Sequence, residues 1–440
     1  MIQKLGKLLI AALVIFFILI GYFYFTSQNK PVLLPKEQTG ATPLYQGIGP
    51  VISKVSVLAE NVPQITQIEI TQDGNYMLAS SLPGIIHIFH KVDGVWQRQI
   101  DPFFKLETAQ PGWPPEEAGL TGVILGADFE TSGDVFLTYS FAAEKKSFRN
   151  RVSRVTFSKQ GKKIIGKNPK LIFEANTPGA GSHQIQDGIG IMIENKPHIL
   201  FTVGEGFVAE RALDPKQEAG KVILIDRDGN TASGSRPFAD SAKVQALGIR
   251  NAPATAYNPK RGKIAIADTG PNNYDRFIYG TIVDKNGQNN EQLSLNWDGT
   301  EESLQKGSQD LYDPARLEMI LYRWAPTETA VNILFYENER LPQLSENQDY
   351  VLVTLFGITG ETGNNPGKQV LLGTLSHGAQ NSLTFQALVE RVTEGEGKLG
   401  HPLGLAVDSA TKMIYFGDII EGRIYQVEIG ETSEEIKSSY

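Results

Sequence analysis

The 440-residue chain contains no cysteine. Disulfides, thiolate metal sites, cysteine nucleophiles and a lipidated cysteine anchor are therefore excluded, while the redox compartment stays open. Basic excess is also lacking: the formal net charge is −8. Three of the 41 Lys and Arg residues (Lys4, Lys7, Lys30) fall within the first 30 positions, so the other 38 face 49 acids, a net of −11. Such a body has no general attraction for nucleic acid, which needs basic surface to replace phosphate counterions. Beyond residue 50 no strongly periodic helical segment is visible to suggest an α/β sheet. What the sequence does have is turn formers, with 44 glycines and 23 prolines scattered among β-type runs. That distribution fits many short strands joined by turns, in a chain long enough to bury a large core.

Leu8 to Phe25 is an unbroken apolar stretch, and no charge occurs between Lys7 and Lys30. About 20 such residues cross a bilayer as a helix. A cleaved signal peptide would have a shorter apolar region followed by small residues. Here the run ends in Gly21-Tyr22-Phe23-Tyr24-Phe25, aromatics of the kind found at a membrane interface. The expectation is an uncleaved transmembrane anchor over 8–26. Lys4 and Lys7 put residues 1–7 in the cytoplasm. A Pro- and Gly-bearing linker then covers 27–50, the folded body is extracytoplasmic over 51–430, and a polar tail covers 431–440.

Within the body one pattern recurs: an apolar strand, a polar turn, then a second β-rich run. Its copies lie at Ile68–Ala79, Val123–Tyr139, Gly190–Val203, Thr255–Asp268, Ile333–Thr354 and Leu405–Asp418. Further strands follow some copies, as at Lys221–Asp226 and Gly422–Val427. Irregular repeats of three or four strands predict propeller blades; a β-sandwich or a pair of β domains is the alternative. Segments near 101–118, 206–219, 228–244, 272–310 and 384–400 are long, polar and predicted to be loops, where propeller sites are commonly built.

Gly119–Gly122, Gly220–Gly229, Leu247–Pro253, Asp268–Asp275 and Leu295–Gly299, taken in order, resemble the glucose/sorbosone dehydrogenase family, the soluble quinoprotein sugar dehydrogenases. Gly119-Leu120-Thr121-Gly122 ahead of Asp134–Tyr139 is similar to the family's Gly-Leu-Leu-Gly strand pair. Gly220–Gly229 resembles its outer strand and turn, and Leu247–Pro253 its Gly-His-Arg-Asn-Pro segment. Asp268–Asp275 stands where the family has Gly-Pro-Asn and acids, and Leu295–Gly299 resembles its Asn-Tyr-Gly-Trp stretch. Arg250-Asn251 followed by Gly270-Pro271 is the strongest pair. The resemblance runs in order over about 51–429 and implies an all-β, six-bladed β-propeller, preceded here by one N-terminal transmembrane helix.

What the resemblance implies chemically is oxidation of a sugar hydroxyl, hydride passing to pyrroloquinoline quinone (PQQ) with Ca²⁺ bound to the cofactor. His183, in Gly181-Ser182-His183-Gln184, stands in the place of the general base, a role suited to a group titrating near neutrality. Glu205 would orient it. Arg250 would stabilise charge on the quinone carbonyls, and Asn251, Tyr322 and Thr327 would contact the cofactor. Gly270 and Pro271 would offer carbonyls to Ca²⁺, and Glu117 would meet the sugar. The chain departs from the pattern at the cofactor's three carboxylates. Phe356 stands where a lysine is expected, and His401 and Leu403 where an Arg-x-Arg pair is expected. Three lost charge-assisted hydrogen bonds amount to roughly 5–9 kcal/mol, more than a thousandfold in affinity. Two other functions fit the same fold: a non-catalytic propeller binding a glycan or protein, and a metal-dependent hydrolase drawing on Asp187, Asp268 and Asp275.

Overall fold

Ile65–Ile70 and Tyr76–Ser81 show how the local sequence makes a strand pair. From Gln67 to Thr71 polar and apolar residues alternate, and Asp73-Gly74 then reverses the chain. Gly74 adopts φ +68°, its amide donates to the Thr71 carbonyl at 2.8 Å, and Asp73 Oδ1 accepts from the Asn75 amide at 3.0 Å. Glycine takes this left-handed conformation without a steric penalty. In this computed structural model the described residues are 52–109, 117–144, 147–232, 243–271, 275–281, 293–295, 297, 299, 319–357, 368–378, 380–389 and 400–430. The expected cytoplasmic end, anchor, linker and tail lie outside them. Among the described residues no helix is long and apolar enough to cross a membrane.

The described strands form six sheets, each a blade and antiparallel apart from one short parallel edge strand. From the inside outward, blade 1 is Ile65–Ile70, Tyr76–Ser81, Ile85–Val92 and Val95–Arg98. Blade 2 is Leu120–Leu125, Asp134–Glu144, Ser147–Gln160 and Lys163–Glu174. Blade 3 is Ile185–Ile193, Lys196–Val203, Lys221–Asp226 and Val244–Leu247, with Leu293–Ser294 added in parallel at its edge. Blade 4 is Ala254–Asn258, Lys263–Asp268, Asp275–Gly280 and Ile320–Trp324. Blade 5 is Ala330–Tyr336, Gln348–Leu355, Gln369–Ser376 and Ser382–Val389. Blade 6 is Pro402–Val407, Ile414–Asp418 and Arg423–Gly430, completed on its outer edge by Ile52–Ala59 from the other end of the chain.

Neighbouring innermost strands touch in a closed ring, the last meeting the first. Apolar side chains fill each gap between blades. Leu78, Ile86 and Ile88 of blade 1 pack on Leu120, Val123 and Val135 of blade 2, and Ala406 and Tyr415 of blade 6 pack on Ile65 and Ile68 of blade 1. All six sequence repeats are the inner strand pairs of the blades. Two segments read as loops are corrected. Asp275–Gly280 is the third strand of blade 4 and is buried throughout, so it never shows the polar-apolar alternation of a half-exposed strand. Ser382–Val389 is the outer strand of blade 5, and the polar residues on its solvent side give it a loop-like composition.

Candidate active site

The inner strands run in the same direction along the channel, so their starts share one mouth. Gln67, Asp187 and Asn332 divide the channel into a cavity of about 1260 Å³ at the strand ends and one of about 360 Å³ at the strand starts. Gln67 donates to Asp187 Oδ2, and its Oε1 accepts from the Leu405 amide (3.2 Å) and Asn332 Nδ2 (3.3 Å), tying four blades across the axis. The smaller cavity is lined by residues at the starts of the inner strands and by those just after the second strands of blades 1, 4, 5 and 6. Glu117, His183, Arg250, Asn251, Gly270, Pro271 and Thr327 all line it, so loops of four blades bring seven of the nine predicted site residues together.

His183 is buried, with Nδ1 2.8 Å from Glu205 Oε1. Glu205 sits behind the histidine rather than on the cavity wall. The preceding Gly204 makes this closeness possible, because a Cβ there would stand 2.5 Å from the His183 carbonyl oxygen. His183 itself holds φ +53°, uncommon for a residue with a side chain and of the kind found where surrounding structure fixes a functional group. Phe207 covers the imidazole at a ring-centre distance of 4.1 Å.

Arg250 donates to the Thr269 carbonyl at 2.9 Å and the Gly270 carbonyl at 3.2 Å, with its guanidinium 5.7 Å from the centre of the Trp297 ring. Burial pulls its pKa below the usual guanidinium range, opposed by Asp268, Glu205, Glu117 and Asp275 around it. Glu117 Oε2 accepts from the His183 amide at 3.0 Å and from Asn251 Nδ2 at 3.1 Å, while Asn251 Oδ1 accepts from Gln186 Nε2 at 2.8 Å. Gln186, Asp187 and Thr121 also line the cavity. Asp187 stood out in the sequence only as a carboxylate available to a metal, and Gln186 and Thr121 only by their position beside recognised motifs.

Asp268 and Asp275 are turn anchors. Asp268 Oδ1 accepts from the Asn251 amide at 2.8 Å, and its Oδ2 pairs with the fully buried Arg276. Asp275 accepts from Thr327 Oγ1 and from the amides of Gly270, Glu328 and Thr329. With Asp187 held by Gln67 instead, the three carboxylates do not converge. Among the described residues no three His, Cys, Asp or Glu side chains are grouped to hold a metal.

Tyr322 is a correction. It lies on Ile320–Trp324 against Trp324 (5.1 Å) and Phe385 (5.0 Å), packed on the core between blades 4 and 5 and away from the cavity. At the positions expected to hold cations, Phe356 and Leu403 line the wall. His401 stacks on Phe356 at 4.2 Å, and its Nδ1 lies 2.7 Å from the Phe356 carbonyl. Burial lowers the His401 pKa below that of a free imidazole, so it is neutral at pH 7.

A closed six-bladed propeller with a histidine–carboxylate pair at the mouth of its channel defines a class of site suited to proton abstraction from a small ligand. The profile of the glucose/sorbosone dehydrogenase family matches residues 63–353, about two thirds of the sequence, and the chain belongs to that family. It is 22% identical over 240 residues to the aldose sugar dehydrogenase YliI of Escherichia coli, a match covering 52% of this chain and 61% of that protein. The PQQ-bound aldose sugar dehydrogenase of Streptomyces coelicolor superposes with a TM-score of 0.60 at 17% identity, over 87% of this chain and 100% of that one. The apo-form soluble aldose sugar dehydrogenase of Escherichia coli gives 0.61 at 15% identity, over 86% and 100%. At those identities the two structures share the fold.

Proposed function

We propose that the smaller cavity is the active site of an oxidoreductase converting a hydroxyl of a sugar or polyol to a carbonyl. The observation that carries this reading is the buried His183–Glu205 pair on a cavity of small-molecule size. With Nδ1 facing a carboxylate, Nε2 is the nitrogen left to accept the hydroxyl proton. As that O–H bond breaks, the neighbouring C–H bond breaks with its electron pair toward a two-electron acceptor of the quinone class, and the C=O bond forms. Arg250 supports negative charge developing on the acceptor. Glu117, held by Asn251 Nδ2 at 3.1 Å, positions the sugar.

PQQ and Ca²⁺ fit this cavity only in part. Arg250 and Asn251 suit the carbonyl end of a quinone. For the three carboxylates, the described lining offers one cation, Arg250, beside the carboxylate Glu117. Ca²⁺ takes about six to eight oxygens, whereas the expected carbonyls are two, and that of Gly270 already accepts from the Arg250 guanidinium. A glycan-binding propeller without turnover is the second reading, favoured by this shortage of cations. The apolar run Leu8–Phe25 supports anchoring over 8–26 with the propeller on the outer face of the membrane.

The test is dye reduction by the full chain in detergent with a panel of aldoses and polyols, with and without added quinone. Sugar-dependent reduction that disappears in His183→Ala supports the proposal. Turnover unchanged by that substitution removes His183 as the base, and saturable glycan binding without turnover establishes the second reading.

A further inference from the structure

Building on the proposed hydroxyl oxidation, we infer that the acceptor end of the cavity seats an uncharged planar quinone rather than a tricarboxylate one. Its wall is the Phe356 ring, backed by the parallel His401 ring at 4.2 Å and 21°. Leu403, Val331, Ile419 and Pro253 extend the apolar surface. Among the described residues these side chains offer stacking and apolar contact to an aromatic ring and no charged donor to an ionised carboxylate; the cation Lys368 lies near enough to His401 to lower its pKa but does not line the cavity.

Charge balance argues the same way. Asp268 is matched by Arg276, and Glu117 and Glu205 still face Arg250, so its single positive charge is already offset before any ligand arrives. A trianion entering there would meet net negative charge in a partly desolvated site, where repulsion is less screened than in water. An uncharged quinone avoids that cost. Its carbonyl oxygen can still approach Arg250, and after accepting hydride from the sugar carbon it takes up the proton held on His183 to leave as the hydroquinone. The far wall thus sets which acceptor is used, while His183, oriented by Glu205, acts on the sugar.

The experiment is calorimetric titration of the full chain in detergent with menadione, an uncharged bicyclic quinone, and separately with PQQ in the presence and absence of Ca²⁺. Menadione is expected to bind saturably and PQQ at least about 100-fold more weakly. Phe356→Lys, with an unchanged thermal midpoint as the folding check, is expected to strengthen PQQ at least about tenfold and weaken menadione. Tighter binding of PQQ than of menadione to the unaltered chain overturns the inference, as does binding of neither. Dye reduction by sugar with PQQ but not menadione would refute the inference and leave the sugar-oxidising site intact. Menadione binding without any sugar-dependent reduction would do the reverse.

Discussion

The amide of Glu205 donates to the carbonyl of Arg250 at 2.9 Å. The residue that orients the histidine is therefore hung from the residue that supplies the cavity's cation, and blades 3 and 4 set both together. This coupling separates orientation from charge. Glu205→Gln keeps the backbone link and a hydrogen-bonding side chain but removes the anion beside the imidazole. The expected result in the dye assay is a kcat lower by about 10²-fold or more, with KM for sugar and the melting temperature little changed. Equal activity in the variant would show that the histidine needs no anion behind it.

Arg276 is the other cation that shapes the site, although it never reaches it. It is fully buried, pairs with Asp268 and donates to the carbonyls of Gly248 (3.1 Å) and Leu295. Asp268 in turn holds the Asn251 amide. Removing one partner of a buried pair leaves an uncompensated charge, costing about 3–5 kcal/mol. Arg276→Met should lower unfolding stability by that amount in denaturant titration. Arg276→Met with Asp268→Asn should recover part of it.

Asp187 links stability to pH. Burial pushes its carboxyl up to about 7, against an ordinary value of 3.8. The folded chain keeps a proton that the unfolded chain releases, so this contribution is fully present below about pH 4 and lost as pH rises through about 7. At 1.36 kcal/mol per unit it amounts to a few kcal/mol at most, on the order of 4. Asp187→Asn cannot ionise, so its stability relative to the unaltered protein should climb between about pH 4 and 7. Parallel stability curves for the two proteins would rule this out.

The closure of blade 6 can be locked covalently. Ser56 faces Gln426 in register, and Gln426 Nε2 donates to Ser56 Oγ at 3.0 Å. Because the chain has no cysteine of its own, Ser56→Cys with Gln426→Cys can form one intrachain disulfide and no other. Oxidation should raise stability by about 2–4 kcal/mol, measured as a denaturant midpoint that falls again on adding reductant. An unchanged midpoint would mean that this edge opens without loss of the ring.

Legibility in the sequence followed exposure. Inner strand pairs such as Leu405–Asp418 were readable because apolar runs end in polar turns. Asp275–Gly280 was not, because a strand buried on both faces loses its alternation, and Asp275 and Arg276 within it look like solvent-loop residues until Asp268 and Thr327 are seen beside them. Ile52–Ala59 went unassigned as a blade strand because its partner lies at the far end of the chain. At the site, short motifs located the residues that line the cavity. Tyr322 was misplaced because a tyrosine on an outer strand and one on a loop have the same local sequence signals.

During synthesis, strand Ile52–Ala59 leaves the ribosome long before Arg423–Gly430, whose register pairs Ser56 with a residue 370 positions later. At about 5–20 residues per second, translation keeps it waiting roughly 20–70 s. It waits as a bare edge whose Val55 and Val57 stay exposed even in the finished molecule. Placing this late pairing on the outer rim leaves the six strands of the inner ring in sequence order, each able to dock as it emerges. Nascent-chain proteolysis should therefore find the early blades protected first and this edge last.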